Sequence, residues 1–470
     1  MDLPASIPPS ASLLRQAGAA YAATRYADAL HKYETVLQSD PANELASFGV
    51  ASCQHAIGNL KRAIELFGSL AEAHPEKPVY RYNQGYGLLL DAQYDRAAET
   101  LQACCERIAD PQVKANLALA LQYRSTRDLA TARALLAEAA ASLPNDADVQ
   151  SNLAYLQLLT ADYEAGWRQH EHRPILQSAI ASTPVPHWQG EPLDGRTLLL
   201  WSEQGLGDSL QFIRYLHPLA RRVAADGGRI VFQPPPALHR LFANSFAPLR
   251  PTVEIVSSDE TVPRFDAHCS LMSLPERMHT TIATVPAEIP YLHADPLDVA
   301  LWQDRLKSAV GLRVGLVWGG DSRKGHDPIF QRSDRRRSVL LEQLAPLFAI
   351  PGVTYFSLQK GEPANQARTM SGNPYFPDFT GSINDFADTA ALIANLDLVI
   401  TVDTSVCHLA AAQGREVWLL NRWDTCWRWL VERDDSPWYP TLTQYRQTTN
   451  GEWGSVIARI EQALRLRVCA

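Results

Sequence analysis

A pairing of one bulky and one small residue recurs along the first third of the chain. A tyrosine or leucine is followed three positions later by alanine or glycine in five places: Tyr26 and Ala29, Leu60 and Ala63, Tyr94 and Ala97, Leu129 and Ala132, Tyr163 and Gly166. Successive bulky residues are 34, 34, 35 and 34 positions apart. Residues three apart share one helical face, so each pair predicts a helix that packs closely on a neighbour. Prolines predict the turns between the repeated units: Pro41, Pro75 and Pro144.

One such helix pair cannot bury its apolar face alone, whereas a stack of pairs can. The period and pattern match the tetratricopeptide repeat over residues 10–173, and an irregular helical bundle is the alternative. Such an α-solenoid presents a concave surface, for which we expect a peptide or protein partner. Polar residues on or near the first helices are candidates for that surface, although each is also consistent with plain solvation: Arg15, Lys32, Arg81, Tyr82, Asn83, Lys114 and Asn116.

The pattern changes after the repeats. Residues 174–193 are rich in proline and glycine and predict an extended linker. Short apolar runs then predict strands at 197–201, 229–232, 253–256 and 266–269, and again at 313–318, 353–358, 398–402 and 417–420. Because helical stretches such as 209–222 separate them, we expect parallel, doubly wound sheets in two Rossmann-like α/β lobes, at 194–300 and 311–468. Ligands of such sheets bind at the carboxyl ends of the strands, here in the cleft between the lobes.

Composition narrows the class of protein. The 470 residues carry a net charge of −8, which argues against a general nucleic-acid binder. The seven cysteines form no C-x-x-C pair, so a zinc knuckle is not expected, and their odd number in a long chain argues against a disulfide framework. The first residues lack the basic and apolar segments of a signal peptide, and no uninterrupted apolar stretch of about 18 residues occurs. These features predict a cytoplasmic protein without a transmembrane segment.

The first candidate site is the turn after the first strand, where Gly205 and Gly207 precede Asp208. Glycine permits a tight turn and a close approach of the backbone to a ligand. The carboxylate of Asp208 suits two roles, a helix cap or a general base, and the local pattern does not choose between them. The complete dinucleotide fingerprint is absent, which argues against a nicotinamide enzyme.

The second candidate site follows the strand at 398–402. Asp403, Thr404 and Ser405 open a helix that also carries His408. The free N–H groups and partial positive charge of a helix N-terminus suit a diphosphate. A simple N-cap is the alternative.

Further basic residues follow other strand ends. Arg332-Ser333-Asp334-Arg335-Arg336-Arg337 comes after the strand that ends at Trp318, and Lys360 follows the next strand. Arginines in an acidic protein suggest a local anion site, although a solvated loop explains them equally well. A carboxylate in one lobe and phosphate-binding groups in the other suit an inverting transfer of a sugar from a nucleoside diphosphate. No Asp-x-Asp motif is evident near these strand ends, so the scheme requires neither a metal nor a bound cofactor.

The last 275 or so residues resemble bacterial glycosyltransferases related to the heptosyltransferases, which have the GT-B fold. The resemblance rests on GLGDSLQF, GLVWGG, SLQKG, DFADTAALIANLDLVITVDTSVCHLA and WRWLVERDDSPWYP. It implies that Asp208 is the general base and that Asp403, Thr404, Ser405 and His408 seat the donor phosphates. The family's phosphate-binding lysine corresponds best to Arg337, with Arg335 or Arg336 as alternatives. Trp318, Gly205, Gly207 and Lys360 complete the expected donor site.

Three functions fit these features. The first is a glycosyltransferase that modifies a protein held by the repeats. The second is a scaffold whose α/β part is catalytically inactive, and the third is a sugar-nucleotide epimerase. Every proposed donor contact follows Ser182, so a chain that begins there is expected to retain donor binding.

Overall fold

The computed structural model describes residues 9–321, 334–370, 373 and 376–469. The chain divides into two compact units, Met1–Leu156 and Gln157–Ala470.

The first unit consists of paired antiparallel helices. They are α1 (Pro9–Ala22), α2 (Tyr26–Ser39), α3 (Glu44–Ala56), α4 (Leu60–Ala73), α5 (Pro78–Leu90), α6 (Tyr94–Cys105), α7 (Pro111–Arg124), α8 (Leu129–Ser142) and the greater part of α9 (Ala147–Leu159). The second helix of each pair begins at the bulky residue of the repeat. The helical repeat predicted from the 34-residue spacing is therefore confirmed.

The small residue of each repeat lies where two helices touch. Ala29, Ala63, Ala97 and Ala132 are fully buried. At Gly49 a methyl group would lie 2.5 Å from the Tyr33 ring, so only glycine fits there. As expected, the small residues allow neighbouring helices to pack closely.

Several of the polar residues considered for the concave surface, among them Lys32, Tyr82 and Asn116, contact other side chains. Lys32 lies on α2, a second helix, and pairs with Asp28 one turn earlier. Asn116 is buried, and its side-chain amide donates to the Tyr82 hydroxyl at 2.9 Å. For Lys32 and Asn116 these contacts provide a structural role within the repeats.

The second unit contains two parallel sheets. The first has strands β1 (Thr197–Trp201), β2 (Arg229–Gln233), β3 (Val253–Ile255) and β4 (Ala267–Ser270) in the order β3-β2-β1-β4. The second has β5 (Leu312–Val317), β6 (Val353–Ser357), β7 (Leu398–Val402), β8 (Val417–Asn421) and β9 (Leu442–Arg446) in the order β6-β5-β7-β8-β9. All eight predicted strands are present to within one residue, and β9 is additional. The α/β fold with two lobes is confirmed.

Helices cover these sheets. They are α10 (Tyr163–His170), α11 (Pro174–Ser182), α12 (Leu206–Phe212), α13 (Leu216–Ala225), α14 (Pro236–Ser245), α15 (Leu274–Arg277), α16 (Pro296–Arg305), α17 (Ala345–Phe348), α18 (Phe386–Ile393), α19 (Ser405–Ala412) and α20 (Gly454–Cys469). The helix expected at 209–222 is instead two α-helices joined by the 3₁₀ turn Ile213–Tyr215. The strand order reverses beside β1 and β5, and the glycine turn and the strand end at Trp318 follow these two strands. This is where doubly wound sheets bind ligands.

Helix α10 belongs to the second unit, although its sequence continues the repeat pattern. The indole N–H of Trp438 donates to the Tyr163 hydroxyl at 3.0 Å. Trp167 is buried, and its ring lies 5.2 Å from that of Trp427. The repeat array was expected to continue to residue 173, but residues from 157 onward pack with the α/β lobes.

Arg173, three residues after the end of α10, holds the start of the glycine turn. The Arg173 guanidinium donates to the buried Glu203 carboxylate through Nε at 3.0 Å and to the Ser273 hydroxyl at 2.8 Å. The Ser270 hydroxyl donates to the same carboxylate. Glu203 begins the turn that leads to Asp208, so this buried ion pair fixes one end of the turn.

The predicted extended linker is partly helical and packed. Residues 174–182 form α11. Further on, the Trp188 N–H donates to the His268 carbonyl at 2.8 Å, and the His268 N–H donates to the Pro186 carbonyl at 3.1 Å. The linker therefore extends the edge of the first sheet beside β4.

We predict that a chain beginning at Gln157 folds, whereas one beginning at Ser182 is strongly destabilised. The shorter chain loses Tyr163 and Trp167 and leaves Glu203 buried without Arg173, and breaking a buried ion pair costs about 3–5 kcal/mol. All 11 tryptophans lie beyond residue 156, so tryptophan fluorescence during urea unfolding reports on this unit. Equal unfolding midpoints for the two chains would contradict the prediction. The earlier expectation for a chain starting at Ser182 holds only if that chain folds.

Candidate functional site

The glycine turn connects β1 to α12 and is held in a left-handed conformation at Gln204, whose φ is 62°. Such a backbone conformation is unfavourable for a residue other than glycine and is retained where its surroundings impose it. Glu203, anchored by Arg173, precedes it. The Gly205 N–H donates to Asp208 Oδ2 at 2.8 Å. Asp208 is thus a helix-capping residue through one oxygen, as one of the two interpretations proposed.

Helix α19 begins at the carboxyl end of β7. Its N-cap residue, Thr404, makes no side-chain hydrogen bond to the first turn. The Thr404 hydroxyl instead lies 3.3 Å from that of Thr401. Ser405 is the first helical residue. Thr404, within the described part of the chain, therefore does not cap the leading N–H groups of α19, and an uncapped helix N-terminus is a favourable place for an anion.

The two candidate segments meet at Gly207. A methyl group at this position would lie 3.1 Å from His408 Cδ2 and 3.5 Å from Ser405 Cα. The backbone of the turn thus lies directly against the start of α19, and a methyl group at Gly207 would require His408 to shift by a few tenths of an ångström. The structure brings Gly205, Gly207 and Asp208 of the first lobe beside Thr404, Ser405 and His408 of the second.

Arg428, which was not among the candidate site residues, contacts this junction. Its guanidinium pairs with Asp208 Oδ1 and donates from Nε to Gln211 Oε1 at 2.6 Å. It also stacks over Trp427, 4.3 Å from the ring centroid. Arg428 lies among the tryptophans of the WRWLVERDDSPWYP block, which could have marked it as a candidate. The local pattern did not indicate an ionic contact with residue 208.

His408 is buried between aromatic rings. Its Nδ1 lies 2.9 Å from the Tyr439 hydroxyl, and its ring stacks on Trp429 with centroids 5.4 Å apart. Burial lowers the pKa of His408 to about 3, with Asp403 opposing and Arg428 reinforcing that shift. The imidazole is neutral at physiological pH, so it offers a hydrogen bond and not a positive charge.

Arg337 reaches the Asp403 backbone. Its Nη1 donates to the Asp403 carbonyl at 3.0 Å, and its Nη2 pairs with Asp334 at 2.6 Å. Arg336 pairs with Asp424 at 2.9 Å, and Arg335 is exposed. Of the arginine run, Arg337 is the residue placed beside the second candidate segment. Arg332 and Ser333 lie outside the described residues.

Trp318 and Lys360 are engaged elsewhere. The Trp318 side chain is fully buried in the core of the second lobe, and its indole N–H donates to the Pro363 carbonyl at 3.2 Å. The Lys360 amine donates to the carbonyls of Thr380 and Ile383, both at 2.9 Å. In this arrangement the Trp318 side chain has a packing role and Lys360 ties down a loop, while neither joins Arg337 at Asp403.

Gln359, which the sequence did not single out, orders the end of β5. Its Oε1 accepts from the N–H groups of Trp318 and Gly319 at 3.0 and 2.8 Å. Its Nε2 returns a hydrogen bond to the Gly319 carbonyl at 2.9 Å. This buried amide fixes the backbone that precedes the arginine run.

Among the described residues, no group of three or more histidine, cysteine or acidic side chains is arranged to hold a metal ion. The same part of the chain contains no helix long and apolar enough to span a bilayer.

Two family models match the chain. Residues 20–82 match the tetratricopeptide repeat, and residues 383–420 match glycosyltransferase family 9 (heptosyltransferase). The second match includes Asp403 to His408. The chain is therefore similar to tetratricopeptide-repeat proteins near its N-terminus and to glycosyltransferase family 9 around β7, α19 and β8. The resemblance expected from the sequence motifs is confirmed.

Protein FlbA of Caulobacter vibrioides is a relative, 27% identical over 368 residues. The alignment covers 72% of this chain and 59% of FlbA, so the chain spans less than two thirds of this curated relative. Among solved structures, MamA of Desulfovibrio magneticus RS-1 is similar at 18% identity with a TM-score of 0.32, over 38% of this chain and 99% of that one. A double mutant of MamA RS-1 matches with a TM-score of 0.33.

We predict that acidification destabilises the second unit partly through His408. Its folded pKa lies below its ordinary value, so from pH 6.5 downward the unfolded chain binds a proton that the folded chain does not. Lowering the pH from 7 to 5 then removes about 2 kcal/mol of stability through this residue. His408→Asn should lose less stability over this range than the parent, measured by urea unfolding with tryptophan fluorescence.

The exposed His172→Asn is the matched control and should follow the parent. If His408→Asn and the parent lose equal stability, His408 is not held neutral by the fold.

Proposed function

We propose that the second unit is an inverting glycosyltransferase that takes a sugar from a nucleoside diphosphate without a metal ion. The observation that carries this proposal is the meeting, at Gly207, of the Asp208 turn with the uncapped N-terminus of α19. A carboxylate and an anion-binding helix terminus in adjacent backbone segments supply a base and a seat for a diphosphate.

The donor diphosphate would bind at the start of α19. The free N–H groups at Ser405 and the following residue point along the helix axis toward an anion. Arg337 lies beside them through its contact with the Asp403 carbonyl. The neutral His408 adds no charge. Helix dipole and guanidinium then stabilise the negative charge that develops on the leaving group.

The reaction is a single displacement. Asp208 accepts the proton of an acceptor hydroxyl, whose oxygen forms a bond to the anomeric carbon of the sugar. The bond from that carbon to the diphosphate oxygen breaks, and its electron pair leaves with the nucleoside diphosphate. A carboxylate accepts about four hydrogen bonds, and Gly205 and Arg428 occupy two of these positions on Asp208. Attack from the opposite face inverts the anomeric configuration.

The acceptor is proposed to be a polypeptide. The first unit consists of repeated helix pairs of the tetratricopeptide type, and such arrays offer extended surfaces for peptides. The repeats have no proposed contact with the donor. A protein acceptor, a nucleotide-sugar co-substrate and a cytoplasmic location together form one consistent proposal.

One observation favours the alternative, a scaffold with an inactive α/β part. Both oxygens of Asp208 are already engaged, by the Gly205 N–H and by Arg428. A locked carboxylate is a poor base if it never exposes a lone pair. The two functions differ in turnover, which is measurable without knowing the acceptor.

The test is a panel of UDP-, GDP- and ADP-sugars with the full chain. Thermal unfolding identifies a donor, because a ligand at about 100 times its Kd stabilises the fold by about 2.7 kcal/mol. Hydrolysis of the donor, with water in place of the acceptor, is then measured as release of the nucleoside diphosphate. Stabilisation without any release favours the scaffold. If none of these sugars stabilises the chain and no nucleoside diphosphate is released, the chain does not use these donors.

We predict that Asp208→Asn retains donor affinity and loses about 10²–10⁴-fold in turnover, the usual contribution of a general base. The amide fits the same space but takes no proton at neutral pH. Asp295→Asn is the control, since Asp295 caps α16 by accepting from the Leu297 N–H at 2.8 Å and lies outside the proposed site. Unchanged turnover in Asp208→Asn restricts this residue to capping.

We predict that Arg337→Met weakens the binding of the nucleoside diphosphate, because a hydrogen bond to a charged group contributes about 1.5–3 kcal/mol. Added salt should weaken binding in the parent more than in the variant. Isothermal titration calorimetry measures both effects, with the exposed Arg335→Met as the control. If Arg335→Met weakens binding and Arg337→Met does not, the phosphate contact lies at Arg335.

A further inference from the structure

A guanidinium from the second lobe lies against the carboxylate of the first. Arg428 and Asp208 have side chains that are 12% and 17% exposed, so their ion pair is largely shielded from water. The two residues are separated by 220 positions, and the pair joins α12 to the segment that follows β8. A shielded charge pair is screened less by salt than a surface pair.

We propose that Arg428 is a positioning residue that holds the Asp208 carboxylate, and through it the glycine turn, in the orientation needed for proton transfer. This inference rests on the proposed function of the same site. Asp208 is held from two sides, by the Gly205 N–H at Oδ2 and by Arg428 at Oδ1. Two fixed contacts on one carboxylate restrict its rotation.

The guanidinium is itself held in place. Its Nε donates to Gln211 Oε1 at 2.6 Å, and its Nη1 lies 3.2 Å from Cys426 Sγ. Gln211 follows Asp208 by three residues on α12, so both acceptors lie on one helical face. Trp427 covers one face of the guanidinium at 4.3 Å. Arginine suits this role because its planar fork contacts several acceptors at fixed angles.

These contacts distinguish positioning from donor binding. Each nitrogen of the Arg428 guanidinium already has a protein partner: Nε has Gln211, Nη1 has Cys426 and Nη2 has Asp208. Because one of these partners is Asp208 itself, loss of Arg428 should affect the chemical step more than donor affinity.

The experiment compares Arg428→Met, Arg428→Lys and Arg433→Met in the full chain. The probe is the UDP-, GDP- or ADP-sugar that stabilises the parent most. Misplacement of a catalytic group by about 1 Å costs about 10²-fold, so Arg428→Met should lower kcat for donor hydrolysis by that order while Kd is unchanged. Arg428→Lys, which keeps the charge, should recover part of the loss. Arg433 pairs with Asp435 in the same segment at 2.6 Å and is the matched control.

A double mutant and a structural readout test how Arg428 acts. In an Asp208→Asn background, Arg428→Met should cause no further loss, because both changes remove one function. Hydrogen exchange of the peptide that contains Gly205 should accelerate in Arg428→Met and not in Arg433→Met. This second measurement needs no turnover, so it separates the positioning inference from the transferase proposal.

Three outcomes overturn the inference. They are a loss confined to Kd, a rise in kcat, and unchanged exchange at the turn. If the parent hydrolyses no donor but Arg428→Met frees the turn, positioning stands and the transferase proposal fails. If tryptophan fluorescence shows that Arg428→Met does not fold, Arg428→Lys is judged by the same criteria, with partial loss of kcat and faster exchange expected.

Discussion

The site depends on the close approach of two helix N-termini. Helix α12 begins after Gly205 and α19 begins at Ser405, and they touch where Gly207 has no side chain. Each terminus carries a partial positive charge, so their approach is unfavourable unless negative charge lies nearby. Asp208 supplies that charge for α12 by accepting the Gly205 N–H. Among the described residues, the N-cap Thr404 does not do the same for α19, because its side chain makes no hydrogen bond to the first turn. The remaining positive potential favours an anionic ligand at α19.

Arginines link the two lobes around this junction. The Arg214 guanidinium, on the first lobe and buried, donates to the Trp438 carbonyl at 2.6 Å and lies 4.5 Å from the centre of the Tyr439 ring. Arg240 on α14 binds both oxygens of Asp385, the residue that caps α18. Arg428 provides the third link. A guanidinium tolerates burial against carbonyls and aromatic faces better than an ammonium does, which suits Arg214, whereas Arg240 and Arg428 link the lobes by pairing with carboxylates. Tyr439 also contacts His408, which connects the interlobe packing to helix α19.

The sequence predicted the features that local physics determines. Buried parallel strands such as β7 are continuous apolar runs, and the repeat helices begin at a bulky residue because that residue must pack one turn before the small one. Strand β9 was missed because LTQYR has polar residues and lies at the sheet edge, where burial no longer dictates an apolar run. The contact between residues 208 and 428 leaves no local trace, since an ion pair across 220 positions depends on the tertiary fold. Local sequence can also suggest a contact that the structure does not show. Lys360 follows a strand end, which suggested a contact with a phosphate, and its amine donates to two backbone carbonyls.

The end of the repeat pattern and the start of the α/β lobes share the same residues. Tyr163 and Gly166 follow the repeat spacing, and Gly166 packs on Leu158 as a repeat residue does, with an added methyl group only 2.7 Å from a Leu158 side-chain carbon. Yet Tyr163 also binds Trp438, and Arg173 fixes Glu203. Removing residues 163–173 would therefore expose apolar surface and leave the buried Glu203 carboxylate unpaired. The glycine turn is therefore positioned from both sides, by Arg173 at Glu203 and by Arg428 at Asp208. Because the turn is held in an unfavourable conformation at Gln204 between these two anchors, its geometry depends on residues from the last repeat-like helix and from the second lobe, and not on the turn sequence alone.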